Sequence, residues 1–273
     1  MKNQIAVITG AGSGIGKAIA MECSRNYGKL HLVGRSRRKL ESVAGIARRN
    51  GCEVKTHSVD LASCDEIKKF YSHVGNEEKQ IDLLVHSAGI FFSGSIENAS
   101  IKHFDQLYYT NVRGPYYLTQ LFLTMLRRSQ GQIVFINSSV GLGGSPKNVS
   151  QYSAMKQALK AVTDILREEV NEEGIRVINI FPGRTATSMQ KAICKAEGML
   201  YVKSDHSQPE DIAKVLMSAL RLSKTSEIKD IVIRPMKKLK LSKTSLYQWA
   251  CAVSFACQDI FGSIDFFACP LWV

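Results

Sequence analysis

The chain has 273 residues, of which 45% are hydrophobic and 22% charged, and it carries a formal net charge of +12. That balance excludes disordered, collagen-like and disulfide-framework classes and leaves enough apolar side chains for a full core. The basic residues are scattered, at Arg35 to Lys39, Arg48-Arg49, Arg127-Arg128 and Met236 to Lys240, with no interleaved aromatics, so nucleic acid is not the expected partner and a phosphorylated small molecule is compatible.

Short β-branched runs at 4–9, 29–34, 53–57, 82–86, 131–137, 175–181 and 230–234 alternate with helical periodicity at 14–26, 36–50, 63–75, 100–128, 150–173 and 209–222. This alternation predicts an α/β fold: a doubly wound, Rossmann-like parallel sheet of seven strands with helices on both faces. The first strand ends in Thr9-Gly10-Ala11-Gly12-Ser13-Gly14-Ile15-Gly16, followed directly by an amphipathic helix. Glycines between a strand and a helix let main chain approach a diphosphate, whose charge the free N–H groups and the positive helix end stabilise. Gly10, Ser13, Gly14, Ile15 and Gly16 are therefore candidate cofactor residues.

The second strand runs into Gly34-Arg35-Ser36, with no acidic residue to accept from the ribose hydroxyls of NAD. Arg35 can fork two donors onto a 2'-phosphate and Ser36 can add a third, which favours NADP(H); a solvated start to the next helix is the plainer reading of the same residues. After the third strand, Asp60 and Leu61 stand where a carboxylate could accept from an adenine amino group, although Asp60 could equally cap the following helix, a role for which Ser63 competes. The fourth strand ends in His86-Ser87-Ala88-Gly89, so Ser87, Ala88 and Gly89 supply small residues where main chain passes close to a cofactor.

Asn111 falls inside the long helix expected at 100–128, where a buried amide could locally distort the turn. The fifth strand leads to Ser138-Ser139, and the helix after it carries Tyr152-Ser153-Ala154-Met155-Lys156. Tyr152 and Lys156 lie one turn apart on one face, and a nearby ammonium favours a phenolate, which would bring the phenol into a working range for general acid–base chemistry. The sixth strand runs into Pro182-Gly183-Arg184-Thr185-Ala186-Thr187. Residues 188–208 read as an irregular polar loop, with Met189 to Ser207 as a short lid over a ligand site.

Taken in order, these segments resemble the short-chain dehydrogenase/reductase family over residues 4 to 236. The resemblance implies hydride transfer between a nicotinamide and a carbonyl or alcohol. It assigns catalytic roles to Asn111, Ser139, Tyr152 and Lys156, with Ser139 preferred to Ser138 because it stands thirteen residues before the tyrosine. It also implies that Lys156 binds the nicotinamide ribose, that Asn111 fixes a water for a proton relay, and that Pro182, Gly183, Thr185 and Thr187 hold the carboxamide. His86-Ser87 departs from the asparagines common in relatives. A homodimer or homotetramer is implied by analogy.

Ile90, Phe91, Phe92, Leu142, Met189, Met199 and Tyr201 suggest an apolar pocket for a small-molecule carbonyl or alcohol. A carbonyl reductase is the leading reading. A 3-oxoacyl carrier-protein reductase, with Arg127 and Arg128 receiving an acidic carrier, and a non-catalytic NADPH sensor are the alternatives. The sensor has no need of Ser139, Tyr152 and Lys156 together.

Seven cysteines without a Cys-x-x-Cys pair suggest reduced thiols, and His57, His73, His103 and His206 show no metal-ligand spacing, so no metal is expected. The N-terminus enters a strand without a signal-like segment, and no apolar run reaches membrane-spanning length, so a cytoplasmic protein is expected. One catalytic domain over 1–240 is the economical division, followed by an aromatic extension at 241–273. That extension reads three ways: a packing element, a contact with a membrane surface, or a disordered appendage.

Overall fold

The structure, a computed structural model, describes residues 1–144 and 147–237. The aromatic extension expected at 241–273 lies outside the described residues. Seven strands, β1 (Ile5–Thr9), β2 (Lys29–Gly34), β3 (Glu53–Ser58), β4 (Leu83–His86), β5 (Gln132–Ile136), β6 (Arg176–Pro182) and β7 (Asp230–Ile233), pair in the order β3-β2-β1-β4-β5-β6-β7. All six pairings are parallel.

Helices cover both faces, which is why the central strands are apolar at successive positions rather than at alternate ones. On one face α1 (Gly14–Ser24), α2 (Arg37–Arg49) and α8 (Pro209–Leu220) pack over Ile8, Leu32 and Val134 through Ile19, Leu40 and Leu216. On the other, α3 (Cys64–Glu77), α5 (Gly114–Ser129) and α6 (Ser150–Val170) pack over Val7, Val33 and Phe135 through Phe70, Phe122 and Leu159. Strand order reverses between β1 and β4, and an open parallel sheet leaves a crevice at that point, outside its carboxyl edge.

Two expectations are corrected. The single helix at 100–128 is three pieces: α4 (Ile101–Tyr108), a π turn over Tyr109–Arg113, and α5. The loop expected at 188–208 begins with a helix, α7 (Ser188–Ala196). Thr187 starts it, its hydroxyl accepting from the Gln190 amide at 3.1 Å, half of a Thr-x-x-Gln capping box. Among the described residues no helix is long and apolar enough to cross a membrane.

Arg127 and Arg128 end α5 at the amino edge of the sheet. Arg127 pairs with Glu173, ahead of β6, at 2.6 Å, and Arg128 donates to the Lys79 carbonyl, ahead of β4, at 2.8 Å. That edge is opposite the carboxyl-end crevice, so these two residues cannot guide an acidic carrier to a site there.

Candidate active site

A cavity of about 880 Å³ runs along the carboxyl edge from the turn after β1 to the start of α7. The turn is built for close main-chain approach. Gly10 holds φ +66°, and a Cβ on it would lie 2.7 Å from the Ala88 amide nitrogen; a Cβ on Gly16 would strike the Gly10 carbonyl. Thr9, fully buried, ties the two loops together: its hydroxyl donates to the Val85 carbonyl at 3.2 Å and accepts from the amides of Ser87 and Ala88 at 3.0 and 3.2 Å. Ser13 is the N-cap of α1, yet its side chain makes no capping bond, so its hydroxyl and the first amides of the helix are left for an anion. These features fit a dinucleotide diphosphate.

Beyond the turn, the cavity wall includes Arg35, Ser36 and Lys39, with no carboxylate at the end of β2. Lys39 was not anticipated from the sequence; it reaches the wall because it sits one helical turn beyond Ser36, whose hydroxyl accepts weakly from the Lys39 amide at 3.5 Å. Asp60 and Leu61 line the adjoining wall. Asp60 Oδ1 accepts from the Ala62 amide at 3.0 Å, and the α3 cap itself falls to Ser63, which accepts from the Glu66 amide at 3.3 Å.

At the other end stand Tyr152 and Lys156, on α6 as expected. Burial raises the Tyr152 hydroxyl to about 12, opposed by a hydrogen bond with the Ser138 side chain. The Lys156 Nζ lies 5.8 Å from the Tyr152 ring centroid, donates to the Ile136 carbonyl at 3.1 Å, and is itself lowered by burial to about 8.

The serine that meets the phenol is Ser138, not Ser139 as the thirteen-residue spacing implied. Ser138 precedes a tight 3-10 turn over Ser139–Leu142 and caps it, accepting from the Val140 amide at 3.5 Å, which leaves Ser139 on the wall. Asn137, one residue earlier, also lines the cavity. It is buried, and neither atom of its amide has a hydrogen-bond partner among the described residues. Asn111 does not line the cavity. In the π turn, its amide grips the main chain of Ile90 on both sides, accepting from its N–H and donating to its carbonyl, each at 2.9 Å. The side chain therefore holds the loop after β4 in place.

The profile that describes short chain dehydrogenases matches residues 4–198. The chain belongs to the short-chain dehydrogenase family. An uncharacterized oxidoreductase of Staphylococcus aureus (strain N315) is 31% identical over 239 residues, which cover 86% of this chain and 99% of the relative. An alcohol dehydrogenase from the archaeon Thermococcus sibiricus, complexed with 5-hydroxy-NADP, is similar with a TM-score of 0.78 and 25% identity, over 87% of this chain and 98% of that one. A metagenomic short-chain oxidoreductase in complex with NADP gives a TM-score of 0.73 and 27% identity, over 86% and 98% respectively.

In this short-chain dehydrogenase the substrate wall differs from the apolar set the sequence suggested. Ile90, Phe91 and Met189 line the cavity, with Phe91 edge-on to the Tyr152 ring at 5.0 Å between centroids. Phe92 instead stacks on His103, Tyr201 packs at a tilt against His206, and Leu142 is exposed. The lid is polar at its centre: Arg184 and Glu197, both on the wall, form a two-pronged ion pair at 2.6 and 2.9 Å. Behind it, buried Cys194 receives a donor from Gln190 at 3.4 Å and lies 3.8 Å from His206 Nε2.

A second cluster of titratable groups lies away from this cavity, between β2, β3 and the end of α3. His31 Nδ1 and His57 Nε2 are 3.0 Å apart, and His31 Nε2 is 3.3 Å from Glu78. His31, Glu77 and Glu78 come close enough together to hold a metal ion, a grouping invisible in the sequence because it draws on two elements. Both carboxylates already face ammonium groups, Glu78 with Lys29 at 2.5 Å and Glu77 with Lys55 at 2.6 Å, so the cluster is neutralised from within.

Proposed function

We propose that this protein interconverts a carbonyl and an alcohol with NADP(H), working mainly as a carbonyl reductase. The observation that carries the reading is a tyrosine hydroxyl, hydrogen-bonded to Ser138 with Lys156 one helical turn on, at one end of a cavity whose other end is an open helix N-terminus. A bound nicotinamide supplies the hydride to carbon, or takes it back from the alcohol. Tyr152 gives its proton to the substrate oxygen in reduction and takes it back in oxidation. Ser138 orients that oxygen from the same side.

Lys156 keeps a positive charge beneath the phenol and is placed to hold a ribose hydroxyl. Asn111 acts as a positioning residue by fixing Ile90 and hence Phe91 beside the ring. Arg35, Ser36 and Lys39 support NADP(H) over NAD(H), as do the NADP complexes of the two similar proteins. Exposed Phe104, Tyr108, Tyr116 and Ile165 on α4, α5 and α6 support a homo-oligomer built through those helices, and a cytoplasmic location remains part of the reading.

The test is a panel of ketones and aldehydes read at the NADPH absorbance with native protein and Tyr152→Phe. Turnover should fall by about 10²- to 10⁴-fold in the variant while NADPH affinity is retained. A phenylalanine variant as fast as the native protein would remove the mechanism. For the cofactor, Arg35→Ala should weaken NADPH at least about tenfold more than NADH, and equal losses would remove the 2'-phosphate assignment.

A further inference from the structure

Beside the main cavity lies a smaller chamber of about 350 Å³, sharing Ser139, Gly183 and Arg184 as a common wall and completed by Met199, Arg234 and Lys237. Three of its side chains are cationic and none is acidic. They differ in how far their charge is already answered. Arg184 is held by Glu197 in the two-pronged pair, and Lys237 faces Asp205 at 3.5 Å across solvent. Arg234 has no ion-pair or hydrogen-bond partner among the described residues, and neither has the Ser139 hydroxyl.

The main chain from which the exposed Arg234 side chain extends is nevertheless anchored. The Gly183 amide donates to the Ile233 carbonyl at 2.7 Å, which pins the end of β7 to the end of β6. The Arg234 stem then crosses Gly183, where a Cβ would come within 2.9 Å of the Arg234 Cβ. A glycine at 183 is thus what lets an arginine stand against the wall of the reacting chamber. The residue that the spacing rule would have made catalytic, Ser139, occupies the passage between the two chambers with its hydroxyl uncommitted.

We propose that the smaller chamber binds an anionic group of the substrate, a carboxylate or a phosphate monoester, with Arg234 as the recognising charge and Ser139 as a neutral donor in the passage. This rests on the carbonyl-reductase reading and narrows it: the substrate is a carbonyl compound with an apolar stretch against Phe91 and Met189 and an acidic end in the annex. A guanidinium meets a planar anion through two parallel N–H donors, which gives orientation as well as affinity.

The experiment pairs keto acids with their methyl esters, matched in chain length, and adds a ketone bearing a phosphate monoester; all are run with the full-length protein and NADPH. The acid should exceed its ester in kcat/KM by about tenfold or more, chiefly through KM, and Arg234→Gln should cut that ratio by a similar factor. Whichever anion shows the larger Arg234 dependence is the one the chamber takes. Equal kcat/KM for acid and ester, with a ratio that Arg234→Gln leaves alone, overturns the proposal.

If no carbonyl compound is reduced, the reductase reading fails on its own, and the chamber is judged by equilibrium binding of a keto acid to NADP-loaded protein. Affinity lost in Arg234→Gln supports it. Absence of binding, or binding indifferent to that change, overturns it.

Discussion

Two clusters of titratable side chains among the described residues differ in whether their charges are answered. Between β2, β3 and α3, Glu77 and Glu78 each meet a lysine, His31 bonds to His57, and the rings of His57 and Phe70 pack at 4.8 Å between centroids. At the carboxyl edge, burial shifts Tyr152 and Lys156 in opposite directions and no carboxylate neutralises either, while Asn137 keeps both amide atoms unpartnered among the described residues. A satisfied cluster holds the fold together. An unsatisfied one is maintained by the surrounding structure at a cost of about 1–3 kcal/mol for each unpaired buried polar group, and such groups are ready to meet a ligand.

The comparison breaks most readily at the cofactor end. Gly16→Ala places a methyl group against the Gly10 carbonyl, so NADPH affinity in a fluorescence titration should fall at least about tenfold, with the acid sensitivity of the histidine cluster retained. Affinity unchanged by that methyl group would mean that the turn is not the diphosphate cradle.

A second, intermediate effect concerns Lys156, whose ammonium burial lowers to about 8. A group with a lowered value loses its proton sooner as pH rises, so reductive kcat/KM should decline above pH 8, by about tenfold per further unit. A flat profile from pH 7 to 9.5 would show that this charge is not used.

The smallest effect tests the other cluster. His57 is lowered from 6.5 to about 4, first by burial and then by the neighbouring His31 and His73, and His31 is also lowered by burial despite Glu78. The unfolded chain therefore binds protons below pH 6.5 that the folded chain refuses, and stability drains away as pH falls from 6.5 towards 4. The melting temperature should drop by a few degrees across that window, and His57→Phe should reduce the drop while leaving the pH profile of turnover alone. A drop that persists in full in the variant would place the acid sensitivity elsewhere.

What was legible in the sequence was what is local. Gly10 to Gly16 between a strand and a helix, and Tyr152 four residues before Lys156, carry their geometry in their spacing, as does the alternation that predicts the sheet. The choice between Ser138 and Ser139 was not local: it depends on how a 3-10 turn, with Gly143 at φ +94° and Gly144 at φ +64° behind it, aims two adjacent residues. The helix α7 did leave a signal, the Thr187-x-x-Gln190 pair, hidden by a polar surrounding sequence. Asn137, Lys39 and Arg234 could not be found from one-dimensional spacing, since each reaches the cavity only through strand order or a helical turn. Sequence spacing fixes the helix face of Lys156 and not where its ammonium goes, here to the Ile136 carbonyl.

On the proposed reaction, the grip of Asn111 on Ile90 bears on the handedness of the product. It ties the Phe91 side of the cavity to the main chain of the π turn, while Arg184 and Glu197 form an ion pair on another part of the wall. A flat, unsymmetrical ketone bound there would meet two unlike walls, an aromatic one at Phe91 and a charged one at Arg184 and Glu197. The alcohol formed from such a ketone should be mainly one mirror-image form.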